Sequence, residues 1–397
     1  MVVTHEIVTE VRPAPTLALL RELALLYARL GTTAFGGPAA HVALMEEEVV
    51  RRRRWLTHEQ FLDLFGVTNL IPGPNSTQMA ILIGYRVAKW PGLLIGGICF
   101  IFPAAFLTLI FAWLYVKYGT LPQAAAILYG VKAVMVAVVL QAIWNLSRTA
   151  IKTKTLALIG VIALLANAFG LNILLVLFGA GIVTVIAKEA AGLNSSRSGA
   201  LALLLPQSQL ISSTGTLGAA APFGLLPLLL FFLKIGAVLF GSGYVLLAFL
   251  RTDLVVKMHW LTDKQLLDAI AVGQVTPGPV FTTATFIGYL LGRVPGAVAA
   301  TVGIFLPSFL FIAIIGPLVP RLRKSALFGA FLDGINVGAL ALMVVVTWYL
   351  GRAAIVDVTT GALALLSLIA LIRFKMNTTW LILAGATVGL FAGRGLW

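Results

Sequence analysis

The residues best placed to do chemistry lie in and just after two copies of Pro-Gly-Pro. In Pro72-Gly73-Pro74-Asn75-Ser76-Thr77-Gln78 and in Pro277-Gly278-Pro279-Val280-Phe281-Thr282-Thr283, prolines flank a glycine and hydroxyl or amide side chains follow. Proline lacks an N–H and disfavours α geometry in the residue before it, so neither stretch is uninterrupted helix. A helix that restarts beyond such a break presents free N–H groups and about half a positive charge, which with hydroxyl donors beside them suits an anion. A single Pro-Gly-Pro is as well read as a kink against a small-residue packing face. Two copies at matching positions favour a binding site. There is no His-Glu-x-x-His, no Gly-x-Ser-x-Gly and no Gly-x-x-x-x-Gly-Lys-Ser/Thr. The motifs of zinc hydrolases, serine hydrolases and nucleotide-driven pumps are therefore absent, and any energy must come from an ion gradient or a counter-substrate.

Other residues gather around the breaks in sequence. Gly36-Gly37 and Gly241-Ser242-Gly243 precede them, and either expose backbone N–H groups to a ligand or let helices approach closely. His41 follows Pro38 by three residues, as a packing residue or a donor; with no ligand-type neighbours it does not suggest a metal. Arg29, Lys132 and Lys234 lie inside apolar segments, where a cation either offsets the charge of a bound anion or snorkels to the surface. Asp63 and Asp268 each stand nine residues before a break, and Asp333 sits within an apolar run; these could carry protons or partner the cations, an interfacial helical role being the simpler reading for the first two. The runs Glu46–Glu48 and Arg51–Arg54 read as an interfacial boundary and are assigned no chemistry.

The elements that hold these residues are those of a membrane protein. Of 397 residues 60% are hydrophobic and only 11% charged, against about a quarter in a soluble domain, so the chain is read as integral to the bilayer. Lys and Arg number 28 against 14 acids, a net charge of +14, yet the basic residues sit in short loops and at segment ends, which fits cytoplasmic anchoring and not nucleic acid. Cys99 is the lone cysteine, so neither a disulfide framework nor a cysteine metal site exists, and no cofactor is expected. Met1 to Pro15 lacks the regions of a signal peptide and is expected to be retained.

Apolar segments run at 16–45, 60–88, 92–116, 121–147, 154–169, 171–188, 223–250, 264–291, 296–320, 326–350, 354–372 and 378–393. The long weakly apolar interval divides the chain into a membrane repeat at 16–190, a linker at 191–222 and a second repeat at 223–397. Trp55–Asp63 aligns with Trp260–Asp268 at an offset of 205, identical at six of nine positions. The same offset joins the two Pro-Gly-Pro motifs and joins Arg29 to Lys234; after a one-residue gap, an offset of 204 joins Gly84-Tyr85 to Gly288-Tyr289 and Pro103 to Pro307. Duplicated membrane halves are the usual architecture of secondary transporters, with the substrate at the repeat interface. Loop charges follow opposite strong-weak orders in the two halves, which favours inverted repeats. The expected fold is all-α and polytopic, with about ten crossings plus re-entrant segments at the Pro-Gly-Pro breaks. Gly36-Gly37-Pro38 could break the first segment as well.

Phe35-Gly36-Gly37-Pro38-x-x-His41, Pro72-Gly73-Pro74-x-x-Thr77-Gln78, Phe240-Gly241 and Pro277-Gly278-Pro279-Val280 with Thr283-Ala284-Thr285-Phe286-Ile287-Gly288-Tyr289 resemble the chromate ion transporter family in its long two-domain form. The resemblance covers nearly the whole chain. It implies a multi-pass carrier of the bacterial or archaeal inner membrane, exporting chromate in exchange for sulfate and so conferring resistance. Ser242 departs from the glycine more usual there. Chromate and sulfate are both tetrahedral dianions, for which converging N–H and O–H donors from Asn75, Thr77, Gln78, Thr282 and Thr283, with a cation such as Lys234, would serve. A sulfate importer, a passive anion channel and a membrane-embedded enzyme are the competing readings. A homo-oligomer in the bilayer is compatible with all of them.

Overall fold

The computed structural model describes residues 16–34, 37–119, 121–192, 223–239, 245–315 and 326–392. Gly36, Gly241 and most of the 191–222 linker lie outside them, as does Met1 to Pro15. Among the described residues every regular element is a helix.

The first half runs α1 (Leu17–Thr33), α2 (Gly37–Glu46), a π turn (Glu47–Arg52), α3 (His58–Thr68), α4 (Asn75–Tyr118), α5 (Pro122–Ala150), α6 (Lys154–Ala168) and α7 (Ile173–Gly192). The second repeats the series as α8 (Leu225–Val238), α9 (Leu246–Leu250), a π turn (Arg251–Lys257), α10 (Asp263–Val275), a short 3₁₀ turn (Val280–Thr282), α11 (Thr283–Ile315), α12 (Ala326–Ala354), α13 (Val358–Arg373) and α14 (Thr378–Ala392). The Trp-Leu-Thr-x-x-Gln repeat is a helix start: Thr57 with Gln60 and Thr262 with Gln265 form capping boxes, each satisfying two otherwise orphaned N–H groups. The first apolar segment is broken, α1 ending before Gly36 and α2 beginning at Gly37.

Neither α4 nor α11 is straight. At Ala88-Lys89 the backbone leaves helical geometry (Lys89 φ 54°, ψ −139°) and the chain folds back; Gly292-Arg293 does the same (Arg293 φ 53°, ψ −143°). A Cβ on Gly84 would fall 2.1 Å from the Gly92 carbonyl oxygen, and one on Gly288 2.3 Å from that of Gly296, so the legs 75–87 and 90–118, and 283–291 and 294–315, pack backbone to backbone through glycine. The repeat extends to single dihedrals. Left-handed residues pair across the halves as Arg54 with His259, Gly73 with Gly278, Lys89 with Arg293 and Gly170 with Lys375.

The helices sort into two interlocked bundles. In one, α1 packs on α4, α8 on α11, and α4 on α11. In the other, α5 packs on α13 and α14 while α12 packs on α6 and α7, so the fifth helix of each half is clasped by the last two of the other. The contacts are close because the residues are small: a Cβ on Gly130 would fall 1.8 Å from the Gly385 carbonyl oxygen. Residues 133–139 of α5 and 337–343 of α12 are buried on all sides, which places these helices at the centre. Leu94, Ile98, Phe102 and Phe106 on α4, matched by Val298, Val302, Leu306 and Leu310 on α11, form exposed apolar stripes suited to lipid. Among the described residues five helices are long and apolar enough to cross a bilayer, and the chain is a multi-pass membrane protein built of two repeated halves.

Candidate functional site

At the first break Gly73 adopts φ +124°, closed to most L residues, and its N–H donates to the Leu239 carbonyl at the end of α8 (2.7 Å). The Gln78 side chain donates Nε2–H to the Pro72 carbonyl (2.6 Å), clasping the break from below, and Asn75 donates to Asn69 Oδ1 (2.8 Å). Within α4 the first N–H to find an acceptor is that of Gln78, on the Pro74 carbonyl (2.9 Å); by helix geometry those of Asn75, Ser76 and Thr77 find none there. Around this helix start three buried polar atoms have no hydrogen-bond partner among the described residues: Thr77 Oγ1, Gln78 Oε1 and Ser308 Oγ. Ser308 comes from α11 in the other half, and a Cβ built on Gly73 would lie 2.7 Å from its hydroxyl oxygen. An unmade buried hydrogen bond costs about 1–3 kcal/mol, so two idle hydroxyls beside a helix N-terminus form a site that gains by taking up an acceptor.

The second break has the same backbone and different chemistry. Gly278 (φ +89°) donates its N–H to the Ala34 carbonyl at the end of α1 (3.0 Å), mirroring Gly73. Here the hydroxyls are already used: Thr282 donates to the Pro279 carbonyl (2.9 Å), Thr283 to that of Val280 (2.8 Å), and Thr285 shares a hydrogen with Thr301 (2.7 Å). Where Gly73 meets Ser308, Gly278 meets Ala104, its counterpart at the offset of 204. Beside this break His41 Nε2 also approaches the Ala34 carbonyl (3.0 Å), so Nε2 carries the hydrogen; among the described residues Nδ1 has no partner, nor has the Tyr27 hydroxyl, whose ring shares Phe100 with that of His41.

All three expected cations are engaged by acids. Arg29 Nη2 lies 2.5 Å from Glu48 Oε1, Arg52 lies 3.0 Å from the same oxygen, and Arg53 holds the other one. In the second half Lys234 lies 3.5 Å and Lys257 2.7 Å from Asp253, each residue standing 205 beyond its counterpart. Glu48, in the π turn outside the long apolar helices, loses solvation on burial, but Arg53 and Arg29 outweigh that and hold its pKa below the usual carboxylate range. Lys132 meets Asp268 at 2.7 Å, and Asp333 meets Lys152 at 2.7 Å. Asp63 is exposed on α3.

Reading the sequence alone missed Ser308, Tyr115 and Asp253. Ser308 has a faint signal, a hydroxyl beside Pro307 in an apolar run; Asp253 follows from Glu48 by the offset; Tyr115 has none.

No solved structure matches this chain. The family model described as "Chromate transporter" matches twice, over residues 21–185 and 226–390. The chain is 33% identical over 387 residues to a chromate transport protein of Cupriavidus metallidurans, covering 96% of this chain and 95% of that one. It is 29% identical over 384 residues to a chromate transport protein of Pseudomonas aeruginosa, covering 93% and 92%. An uncharacterized transporter of Methanocaldococcus jannaschii is 26% identical over 361 residues, covering 88% of each chain. Two repeats that each match the family, joined in one chain that aligns nearly end to end with its relatives, place this protein in the chromate transporter family.

Proposed function

We propose that the protein carries chromate out of the cell across the bacterial inner membrane, in exchange for sulfate, by alternating access around the first Pro-Gly-Pro break. The observation that carries this is the pair of buried hydroxyls, Thr77 and Ser308, that have no hydrogen-bond partner among the described residues: Thr77 lies in the first turn of α4, and Ser308 of the other half lies against Gly73 of the break. Such a site offers donors from two halves of the molecule and no fixed acidic partner, which matches an oxygen dianion. Sulfate shares the shape and charge of chromate, so the same donors serve both. Lys132 is the cation assigned to the anion's charge; Arg29 and Lys234 act as ties to Glu48 and Asp253. Because each break is bonded to the helix end of the opposite half, rocking one half moves both breaks, as alternating access requires.

The deciding experiment is radiolabelled chromate flux in proteoliposomes, with and without sulfate on the opposite side, at fixed membrane potential. Acceleration by opposing sulfate is the expected result. Flux indifferent to opposing sulfate would make the protein a channel or uniporter, and no flux of chromate or sulfate by folded protein would remove the oxyanion reading.

A further inference from the structure

A third polar cluster lies beside the second break. Asp268 on α10 is 1% exposed; its Oδ1 meets Lys132 Nζ of α5 at 2.7 Å, and its Oδ2 accepts from the Tyr115 hydroxyl of α4 at 2.7 Å. Lys132 is itself only 13% exposed. One carboxylate of the second half is thus held by two groups of the first. The cluster is adjacent to the second break: the Tyr115 ring packs on Phe286 of α11 at 5.3 Å, and Gly273, on α10 beyond Asp268, abuts Thr283.

The helices, breaks and hairpin turns of this fold are built twice, and this cluster is built once. The counterpart of Asp268 is the exposed Asp63, and that of Lys132 is Asn336. The duplicated scaffold therefore does not need the pair. A buried ion pair is weak evidence of stability, since desolvation offsets its attraction, and an ionisable residue inside a membrane bundle is read first as functional. Among the described residues, Lys132 and Tyr115 are the groups facing Asp268. The remaining charges on the elements around it are engaged elsewhere or lie at helix ends: Arg251 binds Asp263, Lys257 and Lys234 bind Asp253, Asp333 binds Lys152, and Arg293 sits at the hairpin turn over Tyr289. Lys264 lies in the first turn of α10.

We infer that Asp268 is a proton site that stands in for the oxyanion on Lys132 when the carrier is empty. With no substrate, the carboxylate neutralises the ammonium. When a dianion draws on Lys132, an ionised Asp268 beside it would be a buried charge facing a like charge, so Asp268 takes a proton from water and Lys132 keeps its three hydrogens for the oxyanion. Release reverses both steps. Net transport then moves one proton with each oxyanion, while one-for-one exchange, in which the site is never empty, moves none. This rests on the carrier reading given above.

The test uses the full-length protein in vesicles that entrap a pH-sensitive dye, at alkaline pH where chromate is a dianion and brings no proton of its own. Net chromate flux into chromate-free vesicles is expected to move one proton per chromate in the same direction, and chromate-for-chromate exchange none. In wild type, net flux falls by up to about tenfold per unit of rising pH, the limit for one linked proton. In Asp268→Asn that dependence vanishes and chromate moves without protons. Since Asp268→Asn leaves Lys132 buried without a counter-charge, Lys132→Gln/Asp268→Asn, which removes both charges, is run beside it; its flux is expected to be lower, because the oxyanion loses its cation, and to carry no protons. Protons still moving with chromate in either variant, or wild-type net flux without protons, overturns the inference. A wild type that carries no oxyanion at all overturns the carrier reading first and this one with it.

Discussion

The N–H of Gly73 donates to the carbonyl of Leu239 at 2.7 Å, and its counterpart Gly278 donates to Ala34, the counterpart of Leu239, at 3.0 Å. Each half thus ties its broken helix to the other half's first helix end, so the breaks are joints between repeats and not local kinks. Both glycines need left-handed backbone and both lie against atoms that leave no room for a methyl group. Gly73→Ala puts a Cβ 2.6 Å from Gln78 Nε2, and Gly278→Ala puts one 2.8 Å from the Gly31 carbonyl oxygen. Backbone strain of about 1–3 kcal/mol per site is expected, with loss of transport in each variant. Thermal unfolding in detergent and chromate flux check this; wild-type values for both in Gly73→Ala would refute it.

Thr77 and Ser308 should show the opposite balance of stability against function. Their hydroxyls have no partner among the described residues, so Thr77→Val and Ser308→Ala are expected to leave the unfolding temperature unchanged or slightly raised. A hydrogen bond to a charged ligand is worth about 1.5–3 kcal/mol, so each change should lower chromate transport efficiency by roughly tenfold to a hundredfold. Thr283→Val is the control: its hydroxyl is already given to the Val280 carbonyl, so transport should change little. Equal losses at all three positions would show that the two breaks are not distinguished in the way their hydrogen bonds indicate.

These contrasts show where the sequence could be read and where it could not. The repeat, the two breaks and the apolar segments are legible because they are local: proline geometry and hydrophobicity act within a few residues. The hairpin turns at Lys89 and Arg293 fall in the gaps between apolar segments, after 88 and after 291, so their places are legible, but nothing about a lysine or an arginine announces a left-handed residue. Ser308 completes the first break from a position 235 residues beyond Gly73, and Lys132 reaches Asp268 across 136 residues. Such pairings depend on how α5 and α12 are clasped by the opposite half. Symmetry supplied part of what locality could not, since Glu48 points to Asp253, yet it could not reveal that the hydroxyls at the second break bond inward while those at the first do not.

Glu48 gives a pH prediction whose sign follows from its arginines. Because its pKa in the folded protein lies below the usual value, its ion pairs stabilise fully above the unfolded carboxylate pKa of about 4, and that contribution disappears as pH falls through the lower folded value. Unfolding temperature should therefore hold between neutral and mildly acidic pH and drop below about pH 4. Glu48→Gln, which leaves Arg29, Arg52 and Arg53 without their shared partner, should unfold at lower temperature at neutral pH and show a smaller acid drop. Lys234→Ala, removing a half-exposed partner of Asp253 that Lys257 still holds, should cost no more than about 1 kcal/mol and leave chromate transport measurable. Abolished flux in correctly inserted Lys234→Ala would return Lys234 to the substrate site.

The two hairpin turns can be tested by changes of opposite size. Lys89 holds φ 54° and ψ −139°, where an L side chain crowds its own backbone at a cost of about 1–2 kcal/mol, and its ammonium lies 5.8 Å from the Tyr85 ring. Lys89→Gly relieves the crowding, and glycine's extra freedom in the unfolded chain takes back about 0.5–1 kcal/mol, so the variant should be neutral or up to about 1 kcal/mol more stable. Three residues on, Gly92→Ala drives a Cβ to 2.1 Å from the Gly84 carbonyl oxygen, where the legs touch backbone to backbone, and should lose about 1–3 kcal/mol or more because neither leg can yield without reopening the turn. The same pair in the second half, Arg293→Gly and Gly296→Ala, should behave alike, since its Cβ contact with the Gly288 carbonyl oxygen is 2.2 Å. Unfolding temperature in detergent is the measurement. A destabilised Lys89→Gly beside a tolerated Gly92→Ala would mean that the legs do not fold back on each other, and that α4 crosses the membrane as one continuous rod.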